Sequence, residues 1–318
     1  MKSVLGIAVL LTWFARCDEH GVDFPNPHHR PDAGQAGPGN DEDAGADAIP
    51  DCSPTELYKP HACERPGSPC FGLRKYSPKY ELWSDGADKE RFIYLPPDTQ
   101  IDTTQPDTWV FPRGTKIYKT FSLDGKRIET RIMTKTGDAT GTAAWSFAVY
   151  AWNAAQTEAT QLVGSDFMAG MKSPIRPGWD IPSENACKRC HAGAQTDAVN
   201  GFSAIQLNHW QTDPSLRDLL AEGRLTNTQT PRITLANARL PGDAVTQDGL
   251  GYLHANCGHC HSKGTSNKLE LWSKTNTPVL CDQPTFNTAV GVNLCRWTGR
   301  PIPGGARRVW LPPPAGRV

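Results

Sequence analysis

Two short stretches, "CKRCH" at 187–191 and "CGHCH" at 257–261, constrain this chain more than any other feature. Each sets two cysteines and a histidine in the order C-x-x-C-H: Cys187, Cys190 and His191, then Cys257, Cys260 and His261. All six side chains are competent metal ligands, so a zinc site and covalent haem attachment both have to be weighed. A zinc ribbon also uses two C-x-x-C pairs, but roughly 15 to 20 residues apart and with no need for a histidine after either. Here Cys190 and Cys257 are much further apart, and both pairs carry that histidine. Haem attachment requires it: the thiols form thioethers with the porphyrin vinyls, and the imidazole ligates iron on the proximal face. The paired motifs therefore predict two covalently attached haem c groups, with His191 and His261 as proximal iron ligands. His259 occupies a variable position inside the second motif and reads as a surface residue.

Export fits this chemistry. Lys2 precedes an apolar run, Val4 to Phe14, of the length of a signal-peptide core and too short to span a bilayer, which takes roughly 20 apolar residues. Cys17 follows in "FARC", which resembles a bacterial lipoprotein processing site apart from Arg16, where a small residue is usual. Cys17 is therefore the candidate for lipidation and membrane anchoring, in an exported, periplasmic chain. Residues 18–51, rich in Pro, Gly, Ala and Asp, bury too little apolar surface to offset the entropy of ordering and read as a flexible spacer. His28 and His29 fall within it as solvated residues. Ten cysteines also suit an oxidising compartment. Cys52, Cys63 and Cys70 suggest a disulfide-pinned loop, and Cys281 and Cys295 a further bridge, although spacing does not fix connectivity. With 33 basic and 33 acidic residues, the balanced charge gives no sign of a nucleic-acid partner, and none is expected.

From 76 to 165 the pattern is β. Asp124-Gly125 in "KIYKTFSLDGKRIETRIM" signals a two-residue hairpin. Its simplest register puts Ile117, Phe121, Ile128 and Ile132 on one buried face, and Arg131 and Glu129 on a wet one. "ERFIYL" and "WSFAVYAW" add strands. Beyond 166 the texture turns to short helices and Pro-containing loops. "DPSLRDLLAEG" predicts a helix with Asp213 as N-cap, Pro214 at the first position and Gly223 as the stop. "DAVTQDGLGYLHANC" predicts a second helix entering the later motif, with Gly249 and Gly251 costing it roughly 1 kcal/mol each. The expected fold class is a multidomain α+β chain: an antiparallel β-sandwich or barrel-like domain over 52–165, then a mainly α, cytochrome c-like dihaem region. That region divides into a first haem segment at 166–240 and a second at 241–318.

The stretches "YELWSDGADKERFIYLP", "WVFPRGTKIYKTFSLDG", "WDIPSENACKRCHAG" and "YLHANCGHCH" resemble a family of exported bacterial dihaem c-type cytochromes, over roughly residues 76–275. The resemblance implies electron transfer between redox partner proteins. It carries over Cys187, Cys190, His191, Cys257, Cys260 and His261 as the attachment and proximal residues. The end "CRWTGRPIPGGARRVWLPPPAGRV" departs from that pattern, having neither helical periodicity nor a distal methionine. After Met1 the methionines are Met133, Met168 and Met171, all before both motifs, and neither Met nor His follows His261. His254, one helical turn before Cys257, stays beside the attachment edge. His209, Met168 and Met171 remain as candidate distal ligands. The first haem is thus expected to be six-coordinate, and the second five-coordinate or weakly ligated. No catalytic residue stands out. An electron carrier is the leading expectation; its rivals are a haem enzyme with one open iron, peroxidase-like or a dehydrogenase subunit, and a redox-sensing binding module.

Overall fold

In the computed structural model, which describes residues 51–193, 196–262 and 269–290, the β region is a single six-stranded antiparallel sheet in chain order. Its strands are β1 (Arg74–Tyr76), β2 (Asp88–Tyr94), β3 (Lys116–Leu123), β4 (Lys126–Lys135), β5 (Trp145–Trp152) and β6 (Ala159–Gln161). The sheet is open, which corrects the sandwich or barrel expectation. Its outer strands, β1 and β6, are three residues long, and such short edges offer little backbone for further pairing. The only other sheet among the described residues is a ribbon of β7 (Met171–Lys172) and β8 (Asp180–Ile181). What covers the large sheet is the later chain. Ile93, Ile117 and Met133 share one apolar cluster with Phe202, Leu207, Leu216 and Leu219. Phe202 sits at its centre, edge-on to Tyr76, Trp109 and Phe111 at 4.9, 6.1 and 5.8 Å.

The hairpin forms as read: Asp124 and Gly125 take φ of 52° and 73°, the positive values a type I′ turn demands. The register differs. Leu123 and Ser122 face Lys126 and Arg127, but a β-bulge then inserts Ile128, so Phe121 pairs with Glu129, Lys119 with Arg131 and Ile117 with Met133. One extra residue flips every later side chain to the other face. Glu129 and Arg131 therefore join Ile117, Lys119 and Phe121, while Ile132 moves opposite Tyr118. Neither face is fully wet: Tyr118, Thr120 and Thr130 are buried on the second one.

The described residues form two compact units, divided at Phe71/Gly72. In the first, a one-turn helix, α1 (Pro54–Leu57), is capped by Ser53, and Cys52 is disulfide-bonded to Cys70. That is the pinned loop the cysteine spacing suggested. Cys281 is also disulfide-bonded; Cys295, like Cys17, His28 and His29, lies outside the described residues.

In the second unit the sheet is followed by α2 (Gly164–Ala169), α3 (Glu184–His191), α4 (Ala204–Leu207), α5 (Leu216–Ala221) and α6 (Ala244–Asn256). Helix α5 starts later than expected. Ser215 and Asp218 form a reciprocal capping box, satisfying two backbone N–H groups, whereas Asp213 pairs with Arg74. Gly223 ends the turn at φ 64°. Helix α6 runs as predicted behind the Asp243 cap. The structure also explains Gly251. A Cβ there would overlap the Tyr80 ring, so the missing side chain lets α6 pack against the loop between β1 and β2.

Candidate functional site

The C-x-x-C-H spacing has a direct helical meaning. Residues i, i+3 and i+4 share one face of a helix, and α3 places Cys187, Cys190 and His191 there. The helix begins at Ser183, which accepts a hydrogen bond from the Ala186 N–H, and is braced by the Glu184–Lys188 ion pair at 2.7 Å. Cys187 is buried in an apolar cluster with Phe121, Ile128, Val149, Trp179 and Ile181, so α3 lies on the sheet face that the bulge reshaped. Cys190 is exposed. The His191 ring sits against Phe147 of β5, centroids 5.7 Å apart.

His191 Nδ1 donates to the carbonyl oxygen of Ala198 at 2.6 Å. This bond fixes the ring in the neutral tautomer whose Nε2 is bare, the arrangement found when an imidazole ligates a metal. Burial lowers its pKa to about 4, with the nearby Lys119 and Arg131 charges adding to the effect. Ala198 is held in turn by its neighbour. The buried Asp197 accepts from the Phe111 N–H at 2.8 Å and the Trp145 indole at 2.9 Å, and forms a buried ion pair with Lys135. Neither Asp197 nor Lys135 stood out in the sequence. They are far apart in the chain, and nothing in their local context signals a buried pair.

The second motif follows the end of α6. Asn256 is clamped to the β1–β2 loop: its Oδ1 accepts from the Trp83 N–H at 2.7 Å and its amide donates to the Glu81 carbonyl at 3.1 Å. Cys257 caps the helix, and one further turn carries Cys260 and His261. Neither pair is joined by a disulfide, and burial raises the thiol pKa of Cys257 as it does that of Cys187. His261 Nδ1 is buried without a hydrogen-bond partner among the described residues, as are Tyr80 Oη and the Trp272 indole N–H. Such atoms are rare in native structures.

The two motifs meet. A Cβ at Gly193, two residues after His191, would overlap the backbone carbonyl of His259. His259 is a contact residue rather than a free surface one; burial and the neighbouring His261 and Lys119 lower its pKa.

The candidate distal ligands separate. His209 uses Nε2 to donate to the Ser77 carbonyl at 2.8 Å, beside a hollow lined by Lys79, Trp210 and Arg239. Met168 is 57 % exposed on α2. Met171 packs into the cluster that contains Cys187. Among the described residues no three His, Cys, Asp or Glu side chains converge to bind a metal ion directly. Haem attachment would need no such convergence, because the thiols would bond to carbon and only one imidazole nitrogen per motif would meet iron. The residues present fit haem attachment.

His254 is buried, its ring tilted against Trp272 with centroids 4.1 Å apart, and its Nδ1 accepts from the Ser273 N–H at 3.2 Å. Burial, then His259, lowers its pKa to about 4 from an ordinary 6.5. Below pH 6.5 the unfolded chain takes up a proton here that the folded one refuses. Stability from His254 is therefore complete above about 6.5 and is lost as pH falls towards 4, by up to roughly 3 kcal/mol. Denaturant melts at pH 7 and pH 4.5 should show the loss, and His254→Asn, which keeps an acceptor but does not titrate, should flatten it. An unchanged slope in that variant would assign the effect elsewhere.

No family model, curated protein or solved structure matches the chain.

Proposed function

We propose that this chain is an exported dihaem c-type cytochrome that carries electrons between redox partner proteins. The observation that carries the reading is the pair of C-x-x-C-H motifs, brought side by side at Gly193 and His259. The His191–Ala198 hydrogen bond supports it, since it presents a bare Nε2 beside the two thiols of α3. Haem iron, when bound, supplies one-electron chemistry by cycling between ferrous and ferric states. The chain's contribution is positional. Cys187 and Cys190, beside the apolar cluster of the sheet, would hold one haem, and Cys257 and Cys260, at the end of α6, would hold the other. Asp197 holds Ala198, Ala198 orients His191, and Asn256 ties the second motif to the β1–β2 loop. Two attachment motifs in contact suit a carrier with two redox centres better than a single-site catalyst. The protein as expressed with a haem-attachment system should show c-type spectra at two haems per chain. Cys187→Ala/Cys190→Ala and Cys257→Ala/Cys260→Ala should each retain one. Full haem content in either double variant would sink the assignment.

A further inference from the structure

The bulge after Phe121 has a chemical result on the inner face of the sheet. It aligns Arg91 of β2, Lys119 of β3 and Arg131 of β4 in one cross-strand row, with Lys89 in the next row beside Phe121. Like charges directly opposite one another destabilise a sheet, and Arg91 is only 5 % exposed. Two carboxylates form ion pairs with three of these four cations. Glu81 lies 3.5 Å from Lys89 and 3.3 Å from Arg91, and Glu129 takes both Nε and Nη2 of Arg131 at 2.9 and 2.7 Å. Lys119 makes no ion pair among the described residues. Its ammonium stands 4.7 Å over the Phe121 ring, which it shares with the Arg131 guanidinium at 4.3 Å. Burial, with Arg91 and Arg131, holds its pKa well below the ordinary lysine range. Lys119 and Arg131 also line a cleft of about 460 Å³ with Trp83, Phe121 and Trp179.

The row thus holds a lysine without an ion-pair partner among the described residues, on a partly buried face, beside open space. Both motifs stand around it. Cys187 shares the apolar cluster of Phe121, His191 lies on Phe147 of the same face, and His259 touches Gly193. Lys119 helps to lower the pKa of both His191 and His259, and Arg131 acts in the same direction on Cys187.

We infer that the Arg91–Lys119–Arg131 row receives the propionate carboxylates of the haems, with Lys119 as the contact common to both haem sites. This rests on the dihaem reading. A haem brings two carboxylates and a flat apolar body, and the row offers cations between apolar rings, so charge and shape match together. Arg and Lys recognise carboxylates through charge-assisted hydrogen bonds, strongest where water is excluded. Lys119 is then a positioning residue with an electrostatic output. Cationic charge near the iron favours the ferrous form, which carries one positive charge fewer, and so raises the reduction potential.

The test is Lys119→Met in the haem-loaded protein, a swap of similar volume that removes the charge. Attachment runs through the cysteines, so two haems per chain should remain by mass. Both midpoint potentials should move lower in a spectroelectrochemical titration, and Lys119→Arg should restore them. Two haems with unmoved potentials would overturn this inference and leave the dihaem reading intact. A shift at one haem only would overturn the shared contact. No haem in the unaltered protein would instead defeat the reading beneath it. The unaltered protein gives a second measure, independent of how the variant folds: redox-difference infrared spectra with carboxyl-labelled haem. Propionate bands at ion-paired frequencies support the inference, and bands at those of solvated carboxylates contradict it.

Discussion

If the chain carries two haems as proposed, about half of the haem in the reduced protein should shift its absorption on exposure to carbon monoxide, because one iron would have no strong sixth ligand. The ligand supply decides this. No methionine or histidine follows His261. Met133 is buried in the core of the sheet, Met168 points into solvent, and His209 Nε2 is committed to the Ser77 carbonyl. His254 is locked between Trp272 and the Ser273 N–H. Met171 alone of the three distal candidates packs with Cys187, so the first haem is the one we expect to be closed. Met171→Ala should extend the carbon monoxide response to nearly all the haem. A wild-type protein in which neither haem responds would have both irons saturated, removing the argument for an open site and leaving the simple carrier. Turnover with peroxide at the responsive haem would move the assignment towards an enzyme.

Asp197→Ala should lower unfolding stability by about 3 to 5 kcal/mol, the cost of leaving one partner of a buried ion pair alone. Lys135 and Asp197 both have fully buried side chains, and Lys135 also donates to the Ala139 carbonyl at 2.6 Å. Removing Asp197 strands that ammonium and the indole N–H of Trp145 together. Replacing both charges, as Lys135→Met/Asp197→Leu, should recover much of the loss, because an apolar pair of similar volume carries no desolvation cost. The functional consequence follows from position. Asp197 anchors the segment whose Ala198 carbonyl orients His191, so the single variant should also broaden the low-spin signal of the first haem. Denaturant unfolding and paramagnetic resonance on the same samples read both effects. A loss under 1 kcal/mol would mean that water reaches Lys135.

These residues show where sequence reading reached and where it stopped. The motif cysteines and histidines and the Asp124-Gly125 turn are local signals, each readable within a few positions. The bulge at Ile128 is not. It arises from how β4 meets β3 over its whole length, and missing it placed Arg131 and Glu129 on the wrong face. That one residue hides the cationic row, because Lys119 and Arg131 become opposite only after the shift. The Lys135–Asp197 pair and the Gly193–His259 contact join distant segments and leave no periodic trace. The cap of α5 was misjudged for another reason. Asp213 satisfies the residue preference for a cap, but only Ser215 has an acidic partner three positions on. The single open sheet escaped because alternation reports that a face is buried, and not whether a second sheet or later helices bury it.

The central claim is that each motif holds a haem covalently, and intact mass under denaturing conditions tests it most directly. The account predicts the processed polypeptide plus two haem masses, retained through acid-acetone extraction. A bare polypeptide mass, or zinc in place of iron, would contradict it.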